Sequence, residues 1–242
     1  MNTEPHTITV SGIQVQVIRK AIKNLHLGVY PPHGRVRVAA PLAVSDNSVR
    51  LAVIGKLGWI KRKQSGFKGQ PRQSQREMVT GESHYVWGRR YRLDVTECAA
   101  RQSVRLRNNR TLELNVRHGT NRPAREAVLY GWYRQLLRVE IPKLIAKWEP
   151  LIQANVAHWG IKKMKTRWGT CNKAAGRIWI NLELAKKPPS CLEYIFVHEM
   201  IHLLERHHND RFREYMDRFM PSWQRYQEEL NRAPLGHETW SY

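Results

Sequence analysis

The sequence predicts an α+β protein: a β-rich, basic N-terminal part over residues 1–120 with one helix, a helical core with a small sheet over 121–232, and a tail over 233–242. Three observations carry this. Apolar residues alternate with a period of two in short bursts as far as Val116, and past Asn121 their spacing changes to three and four. Charge also divides unevenly, with 21 Lys and Arg against 7 acidic residues in positions 1–120 and 20 against 13 afterwards. A chain of 242 residues that is 41% hydrophobic and 25% charged has globular composition, which excludes disorder as its main state. The net charge of +21 demands a large electropositive surface.

Between Thr7 and Pro41, Val15 with Val17 and Val36 with Val38 alternate around the turn-forming run Pro31-Pro32-His33-Gly34, which reads as two or three strands. Ser45 stands at an N-cap position, and Val49, Val53, Leu57 and Ile60 follow at helical spacing, giving one amphipathic helix through Lys63. Gly66 to Arg76, polar and basic, reads as an exposed connection. Period two resumes at Tyr91, Leu93 and Val95. Val104 with Leu106 and then Leu112, Leu114 and Val116, parted by Asn108-Asn109, read as a hairpin.

Leu129, Tyr133, Leu136 and Leu137 form one helical face, and Leu144, Ile145, Trp148 and Ile152 another; Pro142 between them suits the first turn of a second helix. Arg177 to Leu184 reads as a strand ended by Pro188-Pro189. Ser190 with Glu193 makes a capping box for a helix through Leu204 that carries Ile195, Phe196, Val197, Ile201 and Leu203. No internal repeat is visible.

Cys98, Cys171 and Cys191 form no CxxC pair, and their odd count argues against a disulfide framework or a cysteine zinc site. Neither a signal peptide nor an apolar run long enough to span a bilayer is visible, so a reducing, cytoplasmic location and no membrane partner are expected.

The capped helix carries His198-Glu199-Met200-Ile201-His202, an HExxH motif. Four residues advance a helix by about 400°, so both imidazoles leave the same face one turn apart and can chelate one ion. Glu199, about 100° away, can take a proton from a water beside that ion. Imidazole donors and hydrolytic chemistry favour zinc. Two histidines and a glutamate on an apolar helix need compensation for their burial, and a metal is the simplest. His207 and His208 are the candidates for a third ligand. On a continuous helix His208 would lie about 240° from His202, so the chain must leave the helix between them, with Asn209-Asp210 capping the next. The spacing His198, His202, His208 equals that of the metzincin pattern HExxHxxGxxH, with Glu205 in place of its glycine.

At these residues the chain resembles the YgjP-like metal-dependent hydrolases, relatives of the SprT-like zinc metallopeptidases. The resemblance runs through Lys165-Thr166-Arg167-Trp168-Gly169-Thr170-Cys171, Gly176, Ile178 to Leu182, Pro188, Tyr194 to Glu199, His202-Leu203, and His208 with Phe212 four residues on. Upstream it takes in Gly34 to Val38, Ala40-Pro41, Trp59-Ile60 and Tyr85 to Leu93, so it covers nearly the whole chain. Met200-Ile201 replace a common Leu-Ala, and Arg213 stands where Trp is common. The resemblance implies a gluzincin-like zinc metallopeptidase core with His198, His202 and His208 as zinc ligands and Glu199 as general base, acting on peptide or protein.

Arg167 is a candidate substrate anchor or oxyanion stabiliser, or else a tie from its loop to a carboxylate such as Glu183. Trp168 reads as core, Asn181 as bonded to neighbouring backbone, Cys171 and Cys191 as buried thiols, and His237 as solvent-exposed. The strand from Arg177, if at a sheet edge, would pair with an extended substrate. Lys61-Arg62-Lys63, Arg89-Arg90-Arg92 and Arg101, Arg105, Arg107 and Arg110 suggest a solvated face, yet +14 over 120 residues makes a nucleic-acid or nucleotide partner a second expectation. The function expected is a zinc metallohydrolase cleaving peptide bonds. The alternatives are a phosphoanhydride hydrolase acting on nucleotides, or a nucleic-acid-associated protein with a structural metal.

Overall fold

The computed structural model describes residues 4–30, 33–69, 76–164 and 167–232. The architecture is α+β, strands leading and helices closing the chain. It divides into two compact units, parted between Gln75 and Arg76.

The first unit holds strands β1 (His6–Val10), β2 (Ile13–Lys20), β3 (His26–Tyr30) and β4 (Arg35–Pro41), then helices α1 (Asp46–Ile54) and α2 (Leu57–Gly69). The sheet order is β1-β2-β4-β3, with β2 and β4 parallel and the outer pairs antiparallel. Ser11 and Gly12, at φ 49° and 78°, make the tight turn between β1 and β2. Ile8, Val10, Val15, Val17, Val36, Val38 and Ala40 pack with Val49, Val53 and Ile60 into one core. Ser45 caps α1 by accepting from the Ser48 N–H. The single expected helix is two, because the Gly55 N–H closes α1 on the Leu51 carbonyl and the chain restarts at Leu57. Helix α2 runs on through 66–69, part of the expected connection; 70–75 lie outside the described residues.

The second unit opens with β5 (Ser83–Val86), β6 (Arg89–Glu97), β7 (Ser103–Leu106) and β8 (Thr111–Val116), in the order β5-β6-β8-β7. Again the central pair is parallel and the outer pairs antiparallel, and β7-β8 is the expected hairpin. The tight turn between β5 and β6, Trp87-Gly88, has φ 49° and 79°. Helix α3 (Arg122–Ile152) follows, capped by Asn121. The sequence offers no repeat, yet the two sheets share one topology, because the likeness lies in turn positions and buried alternation rather than in residue identities.

The apolar spacing predicts a new helix at Pro142, but α3 runs unbroken through Pro142 and Pro150. An interior proline costs about 3 kcal/mol. Tyr133, Leu137, Ile141, Trp148 and Ile152 lie buried along this helix, and burial of such side chains is worth about 1.5–3 kcal/mol each, so packing overrides the local preference.

Strands β9 (His158–Lys162), β10 (Gly169–Asn172) and β11 (Arg177–Asn181) form a sheet in the order β10-β11-β9. The strand expected to reach Leu184 stops at Asn181, whose Oδ1 accepts the Glu183 N–H and starts a 3-10 turn over Leu182–Lys186. Asn181 Nδ2 also donates to the carbonyls of Met164 and Arg167, the backbone role expected of it. Helix α4 (Pro189–Leu204) begins with Pro188 at its N-cap and no side-chain cap, so the expected Ser190–Glu193 capping box does not form. Glu193 instead accepts from Trp148 Nε1 at 2.9 Å and Lys147 Nζ at 2.7 Å, tying α4 to α3. Helices α5 (Asp210–Phe219) and α6 (Trp223–Arg232) pack on α4. No helix among the described residues is long and apolar enough to cross a membrane.

His84, on β5, is 6% exposed, and its Nε2 has no hydrogen-bond partner among the described residues; Glu82 Oε2 stands 3.4 Å away. Burial, with help from the Arg76 charge, pushes the imidazole down to about 4. Its neutral form is favoured by folding, so the stability it contributes is whole above the ordinary histidine range near 6.5. That stability is lost as pH falls toward 4, by about 3 kcal/mol over the interval. Urea unfolding at pH 7 and pH 4.5 is expected to show the loss, and His84→Leu to flatten it. Equal pH dependence in the two proteins would refute this.

Candidate metal centre

Helix α4 is apolar nearly all round, with Cys191, Leu192, Tyr194, Ile195, Phe196, Val197, Met200 and Ile201 buried, so it runs through the core of the second unit. His198 and His202 come off one face of it at four-residue spacing, their ring centroids 4.9 Å apart. The helix ends at Leu204, Glu205 takes an extended conformation with its N–H on the Ile201 carbonyl, and the chain turns back. Asn209 then caps α5 by accepting from the Phe212 N–H at 3.0 Å. This exit from the helix brings His208 back over the pair.

His208 Nε2 lies 3.0 Å from His198 Nε2, and one ring nitrogen from each of His198, His202 and His208 lies within 4.8 Å of the other two. His202 Nδ1 bonds the Glu205 carbonyl at 3.0 Å, which fixes the ring and leaves Nε2 to face the other imidazoles. Burial and the two neighbouring imidazoles push His198 down to about 3, and burial lowers His202, so these two rings are neutral, as ligation requires. The Phe212 ring stands 4.9, 4.8 and 4.7 Å from the three imidazoles and packs against all of them. Three imidazoles converging on one point, one of them with a tautomer fixed by a backbone carbonyl, fit a single divalent ion. His207 is not in the trio; its N–H bonds Glu205 Oε1.

Glu199 is 6% exposed, one residue round the helix from His198. Burial pushes its carboxyl up to about 8, against the pull of the Arg167 guanidinium. Strand β10 passes so close that a Cβ at Gly169 would meet Glu199 Cγ and Oε1 at 2.7 Å, so any larger residue there would displace the carboxylate. Sequence pattern gives no sign of this role for Gly169.

Glu199 and the trio open into a cleft of about 1000 Å³. Arg167, Lys173 and Arg206 line it, which makes its rim positive, and Cys171 and Trp168 border it. Arg167 is exposed and makes no tie to Glu183, whose carboxylate is held by Lys186 at 2.8 Å. Lys173 Nζ donates to the Leu204 carbonyl, closing the end of α4. Arg177 to Asn181 is not an edge strand; β11 is central, and among the described residues the outer strand beside the cleft is β10. Cys191 is buried and Cys171 half-buried. Arg206 carries no mark of function in the sequence, and Gly169 figures there only as part of the family-like segment Lys165 to Cys171; the structure brings both to the cleft. His237 lies outside the described residues.

No curated protein matches the chain. Against known families, residues 23–233 match the YgjP-like, metallopeptidase domain. That match spans the first unit from Lys23 and takes in the cleft, the trio and α5. It makes a metal cofactor and a peptide or protein substrate part of the family's description, and this chain belongs to the YgjP-like metallopeptidase family.

Proposed function

We propose that the chain is a zinc-dependent peptidase in which His198, His202 and His208 hold the ion and Glu199 is the general base. The observation behind the reading is the convergence of three imidazole nitrogens within 4.8 Å, next to a buried carboxylate that is not one of them. Zinc suits three imidazole donors with one side open to a cleft. When bound, the ion would act as a Lewis acid and lower the pKa of a water to about 7.

The chain's own residues supply the rest. Glu199, held against Gly169, accepts the proton of the attacking water and passes it to the nitrogen of the leaving amine. Arg167, exposed on the cleft and drawn electrostatically to Glu199, offers its guanidinium to the developing oxyanion or to a substrate carboxylate. Strand β10, with its outer edge unpaired within the sheet, presents backbone donors and acceptors along which an extended peptide can lie. Catalysis resides within residues 121–232. Cysteines without disulfides fit a reducing, cytoplasmic setting.

Arg167→Ala is expected to lower kcat/KM on an unstructured protein substrate about 100-fold, with metal content unchanged. Unaltered kinetics would remove Arg167 from the site. The positive rim would also hold phosphate, so the decisive assay sets unstructured protein against nucleoside triphosphates, each with and without a chelator. Chelator-sensitive proteolysis is expected. Chelator-sensitive hydrolysis of the triphosphates alone would replace the peptidase by a phosphoanhydride hydrolase.

A further inference from the structure

Helix α4 and strand β10 run the same way beside the cleft. Gly169, at the start of the strand, lies against Glu199, and Lys173, just past its end, donates from Nζ to the Leu204 carbonyl at 2.7 Å. Glu199 is the one carboxylate among the described lining residues, which also include the cations Arg167, Lys173 and Arg206. Arg167 belongs to the Glu199 end, where its charge is drawn to that carboxylate. Lys173 and Arg206 belong to the other end, where α4 stops.

Lys173 has a structural task. The last carbonyls of a helix carry partial negative charge and lack partners within it, and an ammonium on the Leu204 carbonyl meets both needs. Its turn is held as well, by the Ala175 N–H donating to Asn172 Oδ1 at 3.1 Å and the Gly176 N–H to the Lys173 carbonyl at 3.2 Å. Arg206 has no such task. It is exposed on the cleft two residues beyond the helix, and among the described residues it forms no hydrogen bond or ion pair. The carboxylates of the same turn are engaged elsewhere: Glu205 Oε1 accepts the His207 N–H at 3.1 Å, and Asp210 pairs with Arg213 at 2.7 Å. This end of the cleft therefore presents one fixed ammonium and one uncommitted guanidinium, with no carboxylate among the described residues to neutralise either.

We propose, building on the peptidase reading, that this end of the cleft is a subsite for an acidic side chain of the substrate, with Arg206 the residue that selects it and Lys173 a fixed second charge. Lys173 follows Gly169 by four residues, about 13 Å of strand at ~3.3 Å per residue. A peptide laid along β10 with its scissile bond beside Glu199 brings the residues two to four places from that bond, on one side, level with Asn172 and Lys173. An aspartate or glutamate there meets a guanidinium whose paired donors match a carboxylate. On the other side of the bond the peptide meets Arg167, whose charge Glu199 already offsets. The substrate class is thus an extended segment with acidic residues on one side of the cleaved bond.

The test uses the full-length, metal-loaded protein and an end-blocked peptide cleaved at a single bond located by mass spectrometry, so that no terminal carboxylate takes part. Asp or Asn is placed two to four residues from the bond, on one side or the other. Asp on one side is expected to raise kcat/KM over Asn at least about 10-fold, and Asp on the other side to do little. Arg206→Glu is expected to bring that ratio below one and to make Lys the preferred residue at the same positions, a gain that a misfolded protein would not show. Arg101→Glu, the same change of charge at an exposed residue between β6 and β7, is expected to keep the ratio of the parent protein. Binding repeats the comparison without turnover: in Glu199→Gln the fluorescein-labelled Asp peptide is expected to show a Kd about 10-fold below that of the Asn peptide, and added Arg206→Glu to erase the gap. Ratios near one on both sides of the bond in an active protein, or an equal fall with Arg101→Glu, would overturn the acidic subsite and leave the peptidase standing. A protein that neither cleaves nor binds any of the peptides would overturn both.

Discussion

Glu199→Gln is expected to lower turnover of an unstructured protein substrate by about 10³-fold or more while leaving one metal ion per chain. The substitution keeps the size of the side chain and its fit against Gly169, where even one added carbon would come within 2.7 Å of Cγ and Oε1. It removes only the ability to accept a proton, and general base catalysis supplies about 10²–10⁴ in rate. Because the trio holds its own geometry through the Glu205 carbonyl and the packing of Phe212, metal content should not follow activity. Near-normal turnover would take the proton-transfer role from Glu199 and leave the ion a structural part. Loss of metal would make Glu199 a ligand.

His208→Ala is expected to weaken metal binding more than about 100-fold and to abolish activity, whereas His207→Ala changes neither. Removing a ligand should cost more than the 10–100-fold typical of groups that only orient ligands. Its neighbour in sequence bonds Glu205 through its backbone N–H and takes no part in the cluster. The contrast between adjacent histidines separates a direct role from a general effect on the turn between α4 and α5. If His207→Ala lost the metal instead, the trio would be wrongly composed.

The features legible in the sequence are those written in short-range terms. Helical spacing of His198 and His202, the cap at Asn209, the cap at Ser45 and the β7-β8 hairpin all depend on residues within a few positions of one another, and the structure has each of them. Spacing alone does not choose between His207 and His208; the choice depends on how far the chain swings after Leu204, which Glu205 and Asn209 settle together. Misreadings arise where distant packing outweighs local preference. Helix α3 keeps Pro142 because its buried face is continuous, and Glu193 leaves the capping box for Trp148 and Lys147, 45 and 46 residues away. Strand β11 reads as a possible edge because β10, with no alternating pattern in Gly169–Asn172, gives no sign of covering it. Gly169 shows the same limit at the site, as its closeness to Glu199 follows from the pairing of two elements far apart in the chain.

The catalytic role proposed for this cleft rests on three imidazoles sharing one ion beside an uncoordinated carboxylate. Anomalous diffraction from crystals of the purified protein, collected above and below the zinc edge, locates that ion without reference to activity. The expected result is a single peak per chain, about 2.0–2.1 Å from Nε2 of His198, His202 and His208, with Glu199 outside its coordination sphere. A peak held by other residues, or none in protein that still hydrolyses its substrate, would refute the assignment.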